Sequence, residues 1–428
     1  MSATDDLLAF AGADHKLPPK VRTSTIRLLR DTLAIGAAAV DAPGEPAILQ
    51  TARAFGQGEE ARLLGTDERL PAPSAAFVNG YRIHCLEWDA VHEPAVVHAM
   101  SVVTAALGAV IDRRGGNNRE ETLVALAIGV DIASGLGLCA DSAMRFFRPA
   151  ICGVMGAAVA VARIDGAPLD DALGLAYSSA AGTMQAHVEG SETLPFQIAN
   201  AARAAVVASD LAKAGFSAPK DPLDGPFGYL KLFEDGDLTR YTQDLGKVWR
   251  IAQVSTKPYP SGRASHAALS KLARLRLNPD NVASIELACP PLIRRLVDRP
   301  YSADMSPAWA RLCMPYLAAL MLTDKRIDPR RFSPEDIADP ALAAIAGKVR
   351  LTDDGNADEN ALFPQSLTIT MADGAVERHL VEHTLGSPGN PLNRPQTMRK
   401  LRLARELAPD SADPRIFEDT HSYFTDPK

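Results

Sequence analysis

Residues 81–105 read YRIHCLEWDAVHEPAVVHAMSVVTA. His84, His92 and His98 fall within fifteen residues of a chain that holds nine histidines in all. Glu87, Asp89 and Glu93 stand between them, and a small, apolar run, MSVVTAALGAVI, follows. That run predicts a buried helix. A titratable loop leading straight into a buried helix puts ionisable groups at the edge of a core, where desolvation and neighbouring charges move their pKa values. The same residues also suit an acid-rich surface turn with satisfied histidines, so the rest of the chain must decide.

Outward from this stretch the pattern is helical. Thr23-Ser24-Thr25 reads as a cap for IRLLRDTLAIGAAAV, and AILQTARAF starts another helix after a Pro/Gly break at 41–45. ETLVALAIGVDIASGLGLCA predicts a helix covered on most sides. Residues 145–164 repeat the organising layout, a polar loop (RFFRP) and then a small-residue helix (CGVMGAAVAVARI). DALGLAYSSAAGTMQA and LPFQIANAARAAVVASDLAKAGF continue in kind. No GxGxxG or P-loop pattern interrupts this half.

The character changes after two Pro/Gly junctions, KDPLDGPFGYLKLF (220–233) and KPYPSGRASHAAL (257–269). VASIELACPP and SLTITMADG predict strands, and DGAVERHLVEH completes a hairpin. RLCMPYLAALML and PEDIADPALAAIAGKV predict one helix each, and GSPGNPLNRPQTMRKLRLARELAPD returns to helix. The expected fold is mainly α. A large all-helical domain, residues 1–262 and 391–428, carries a smaller inserted α+β lid domain, residues 263–390.

Composition narrows the function. The chain has 428 residues, 46% hydrophobic and 23% charged, with a net charge of −7 and no basic block. That is the balance of a soluble globular protein with no nucleic-acid footprint. Its five cysteines are scattered, with no CxxC pair. They suit a reducing cytoplasm and give no iron–sulfur ligand set. The acidic N-terminus lacks a signal pattern, and no uninterrupted apolar run of about 18–20 residues predicts a membrane span. Helices this apolar predict a homodimer through the helical domain.

Five segments in order, NGYRIHCLEWDAVH with His98, PFGYLKLF, KPYPSGRASH, MPYLAAL and GSPGNPLNRPQTMRKLR, resemble the MmgE/PrpD family. That family includes 2-methylcitrate dehydratases, cis-aconitate decarboxylases and iminodisuccinate epimerases. The resemblance implies an active site between a helical and a lid domain, no metal or organic cofactor, and a small polycarboxylate substrate. The leading expectation is a lyase, a dehydratase or decarboxylase. An epimerase or isomerase comes second and a non-catalytic ligand-binding protein third.

Such chemistry makes or breaks a C–H bond beside a carboxylate. It needs a group titrating near neutrality and cations for the carboxylates. By resemblance His98 is the proton-transfer residue. Asp89 matches a family acid that orients an imidazole or binds a substrate hydroxyl. Glu87 stands where Asp is more usual, and His92 fits the pattern or ties the loop together. His84 reads as a packed helix histidine. KPYPSGRASH supplies Lys257, Arg263 and His266 as anion-holding or catalytic groups, or as solvated hinge residues. Tyr316 matches a family tyrosine that reaches the cleft from the lid, and equally suits a helix core.

Two departures stand out. Arg148, in Phe147-Arg148-Pro149-Ala150, occupies a family histidine position. Leu194-Pro195-Phe196-Gln197 stands where relatives carry Lys-Arg-Leu-His, so a usual cation is missing. Arg148 is the expected replacement, with Gln197 nearby, in a pocket unlike that of 2-methylcitrate dehydratase or cis-aconitate decarboxylase.

Overall fold

The computed structural model describes residues 2–142 and 144–425. The principal helices of the first half are α1 (Pro19–Ala37), α2 (Ala72–His84), α3 (Ala99–Arg113), α4 (Arg119–Leu138), α5 (Arg148–Asp165) and α6 (Thr193–Lys213). α5 lies at their centre, packed against α3, α4 and α6. Small residues make this possible. A Cβ on Gly156 would meet the carbonyl oxygen of Gly129 at 2.2 Å, so α4 and α5 touch backbone to backbone.

Helix ends explain several departures from expectation. α1 begins at Pro19, before the expected Thr23-Ser24-Thr25 cap. Proline at the first turn has no N–H to leave unsatisfied. The Thr23 and Thr25 hydroxyls instead donate back to the carbonyls of Pro19 and Val21. The segment DALGLAYSSAAGTMQA ends its helix at Ser178, and a separate short helix spans Gln185–Glu189. PEDIADPALAAIAGKV divides into Pro334–Ile337 and Pro340–Ala346, because the Asp339 side chain caps a second start, accepting from the Ala341 N–H at 2.8 Å.

α4 is long and apolar enough to cross a membrane, with a mean hydropathy of 1.6, yet 89% of that window is buried inside the protein. Helices of this composition also form the centre of a helical core.

The second half contains α7 (His266–Leu275), β1 (Val282–Cys289), α8 (Met314–Asp324), β2 (Val349–Asp353), β3 (Gln365–Met371) and β4 (Val376–Val381). The strand order is β2-β1-β3-β4. β1 runs parallel to β2 and antiparallel to β3, which pairs antiparallel with β4. The β2 strand was not expected; VRLTD is too short and polar to signal one. Leu287, Leu367 and Ile369 turn inward onto α8, buried from Met314 to Leu322, giving this half its own apolar core. α9 (Arg394–Leu407) then returns to the first core. Its Lys400 reaches Asp31 of α1 at 2.8 Å and donates to the Trp88 carbonyl at 3.1 Å.

Candidate active site

The organising stretch is the floor of a cleft between the two cores. α2 ends at His84, and α3 begins after His98, which sits at its N-cap position. Between them the loop is tied twice. His92 and Val97 pair across a tight turn, and Val91 exchanges backbone hydrogen bonds with Ser255 at 2.8 and 3.1 Å. The second tie draws Lys257 beneath the loop, where its ammonium donates to the carbonyl and the carboxylate of Glu87, both at 3.0 Å.

The cleft opens between this loop and the second half of the chain. His84, Glu87, Glu93 and His98 line it from the loop, His187 from beyond α5, and Arg263, Gln365 and Thr384 from the lid. Six described non-glycine residues have positive φ, and three of them, Glu87, Val96 and Met144, line this cleft. Such conformations cost about 1–3 kcal/mol each and persist where surrounding structure holds them, commonly at functional sites.

One oxygen of Asp89 organises the chemistry. Its Oδ2 accepts from Nδ1 of His84 and Nδ1 of His98, each at 2.9 Å, and from the Ser101 hydroxyl. Asp89 is fully buried and does not itself line the cleft. Burial opposes its charge, but the two imidazoles outweigh burial and hold the carboxyl well below its usual range. With Nδ1 of His98 donating to that carboxylate, Nε2 is the nitrogen left for a substrate.

The two imidazoles are driven apart. Burial, the largest influence on His98, outweighs the attraction of Asp89, Lys257 adds to it, and the pKa falls. Burial also opposes the charge of His84, but Asp89 and then Glu87 prevail, and its pKa rises. Paired groups pushed in opposite directions supply a base and an acid at the same pH. Glu87 falls to about 2; burial resists, and Lys257 followed by the histidines overcomes it.

The donor atoms of His84, Asp89 and His98 lie within 4.8 Å of one another, a spacing that would suit a metal ion. Here both Nδ1 atoms share one carboxylate oxygen, and Lys257 Nζ stands 3.8 Å from the other. An ammonium at that distance opposes a second cation, so the arrangement fits a proton-transfer network better than a metal centre.

The other expected site residues divide. Arg263 lines the cleft, donating to Glu93 at 2.9 Å and to the Leu385 carbonyl at 2.7 Å. Lys257 is fully buried under Glu87 and does not itself line the cleft. His266 lies behind Arg263, buried, with Nε2 3.0 Å from the Ser261 hydroxyl. Burial, then Arg263 and Lys257, hold it well below its usual pKa and neutral.

Four expected substrate contacts lie elsewhere. His92 is buried in its own loop, 3.3 Å from the Gln253 side chain; burial lowers it to about 4. Arg148 turns away from the cleft to Glu234 at 2.8 Å and the Ser142 carbonyl at 2.6 Å, so it does not replace the missing cation. Its neighbours Phe147 and Pro149 face the cleft instead. Gln197 accepts from the Thr183 N–H at 2.6 Å. Tyr316 is buried in the lid core, its hydroxyl donating to the Arg331 carbonyl at 2.6 Å.

Three residues escape sequence reasoning. His84 is part of the site, not merely a packed helix residue. His187 lines the cleft with Arg299 behind it, and burial with Arg299 lowers it to about 4. Arg311, also from the lid, lines a smaller recess that shares His84, Glu87 and Leu194 with the cleft. His187 and Arg311 stand in no local pattern and only burial of charge marks them, whereas His84 lies in the histidine-rich stretch and was read there as packing.

Comparison with known proteins agrees with this architecture. The MmgE/PrpD N-terminal domain matches residues 13–241 and the MmgE/PrpD C-terminal domain residues 259–420. Human cis-aconitate decarboxylase is 26% identical over 92% of this chain and 86% of its own length. The mouse protein of that name is 25% identical over 92% and 85%. Cis-aconitate decarboxylase of Aspergillus terreus strain NIH 2624 is 23% identical over 95% and 89%. With both halves matched in order across a shared cleft, the chain belongs to the MmgE/PrpD family.

Proposed function

We propose that this protein is a cofactor-independent lyase acting on a small di- or tricarboxylic acid, by dehydration or decarboxylation beside a carboxylate. The observation that carries the reading is the neutral His98, its Nδ1 held by Asp89 and its Nε2 free toward the cleft. In a dehydration neutral His98 takes the proton alpha to the carboxylate at Nε2, and the hydroxyl on the neighbouring carbon leaves as water with a proton from His84, whose pKa is raised. In a decarboxylation the imidazolium form of His98 is required, and it delivers its Nε2 proton to the carbon from which carbon dioxide has left. Asp89 keeps the tautomer fixed and stabilises the imidazolium in both. The relatives named cis-aconitate decarboxylase support the lyase class. Epimerisation normally needs proton donors on opposite faces of a carbon, whereas His84 and His98 share one carboxylate oxygen. The test is a panel of carboxylic acids followed by proton NMR in heavy water and by absorbance near 240 nm. Lyase action changes the conjugated C=C signal. Exchange with flat absorbance would move the assignment to an epimerase.

The reading includes a cytoplasmic homodimer. α3 and α5 cannot form its interface, since both are buried within the chain. α6 supports it instead, with Phe196, Val207 and Leu211 exposed on its surface. Light scattering at micromolar concentration should give twice the chain mass of 45.6 kDa; the chain mass itself would refute the dimer.

A further inference from the structure

We propose that the acid this cleft accepts carries a hydrocarbon arm of several carbons and no more than two carboxylates. This rests on the carboxylic-acid lyase reading above and narrows its substrate class. The walls are apolar on both sides. Met144, Phe147 and Met184 face Ile293, Leu296 and Phe363 of the lid. The polar lining is limited to the His84–His98 floor, Arg263, His187, Gln365 and Thr384, and the rest is hydrocarbon, the pattern of a pocket that orients a polar end and buries an apolar one.

The charges point the same way. Two acids, Glu87 and Glu93, line the cleft against one cation, Arg263, which Glu93 already holds at 2.9 Å. Lys257 is occupied by Glu87 and Arg148 by Glu234. Arg311 differs. It is buried, its Nε lacks a hydrogen-bond partner, and no carboxylate among the described residues lies within ion-pair distance. Arg311, in the recess it shares with Glu87 and Glu192, can answer one carboxylate, and Arg263 a second in competition with Glu93; a third would enter an acidic, desolvated space without a partner. Leu194, between the cleft and the Arg311 recess, adds hydrocarbon to both.

Calorimetric titration of the intact protein with succinate, butylsuccinate, citrate and cis-aconitate tests this. Each buried methylene should tighten binding about fourfold, so butylsuccinate should bind about 10²-fold tighter than succinate and also tighter than citrate or cis-aconitate. Leu296→Lys, at a half-buried lid position, should erase the gradient and improve citrate binding. Equal binding of succinate and butylsuccinate, or tightest binding of citrate or cis-aconitate, overturns the proposal. Turnover of cis-aconitate in that case would leave the lyase reading standing. A clear chain-length gradient with no proton exchange and no new C=C for any acid would uphold the apolar arm and remove the lyase.

Discussion

His84 and His98 meet edge to face, their ring centroids 4.8 Å apart, and both donate to the same oxygen of Asp89. One carboxylate thus holds two imidazoles whose pKa values move in opposite directions. The two imidazoles form a single hydrogen-bonded unit, with His98 bordering the cleft and His84 leaning on Glu87 at 3.7 Å.

Replacing His98 with Gln keeps size and polarity but removes the titrating nitrogen. Turnover should fall by roughly 10²–10⁴, the usual worth of a general acid or base. KM should change much less, because the cations lie elsewhere. Steady-state kinetics decide this; near-normal turnover would pass the proton-transfer role to another histidine bordering the cleft.

The pH dependence of kcat/KM follows from the two directions. His98 is lowered from 6.5, so its base form is lost on an acid limb below that value. His84 is raised from 6.5, so its charge is lost on an alkaline limb above it. The profile should be bell-shaped, its two limbs belonging to the coupled unit rather than to either ring. His84→Gln should remove the alkaline limb. Persistence of that limb in the variant would separate His84 from the chemistry.

Glu87 ties acid stability to the loop. Its pKa falls from 4.5 to about 2, so its ion pair with Lys257 stabilises the fold fully above 4.5. That contribution disappears as pH drops from about 4.5 towards about 2. Glu87→Gln should lower the melting temperature at pH 7 and flatten its slope between pH 5 and 3. Parallel melting curves for the two proteins across that range would contradict the linkage.

Arg148 separates stability from catalysis. It and Glu234 are 2% and 1% exposed, so Arg148→Met leaves a buried carboxylate without its cation. The loss should be about 3–5 kcal/mol in denaturant unfolding. Substrate affinity per folded molecule should be little changed; a large rise in KM with intact stability would put Arg148 in the binding site after all.

Chelation tests the use of the histidine cluster. With Lys257 3.8 Å from Asp89 Oδ1, turnover should survive EDTA. Loss of turnover on chelation, restored by a divalent ion, would make His84, Asp89 and His98 a metal centre.

The sequence by itself determined the class of fold and singled out the histidine cluster that borders the cleft. Small-residue helical periodicity has one stable outcome, close helix packing, and Gly129 against Gly156 realises it. Strands Val282–Cys289 and Gln365–Met371 follow from alternation, which fixes which face is buried. The cluster from His84 to His98 was legible because six titratable residues stood beside a buried helix. Only the tertiary structure decided which way each charge turns. Arg148 follows Glu234, Tyr316 bonds inside the lid, and His187 and Arg311 reach the cleft region from distant segments. A buried charge settles on whichever partner compensates its desolvation, and that partner lies up to 86 residues away for Arg148 and 170 for Lys257. Local pattern carries no record of such pairing.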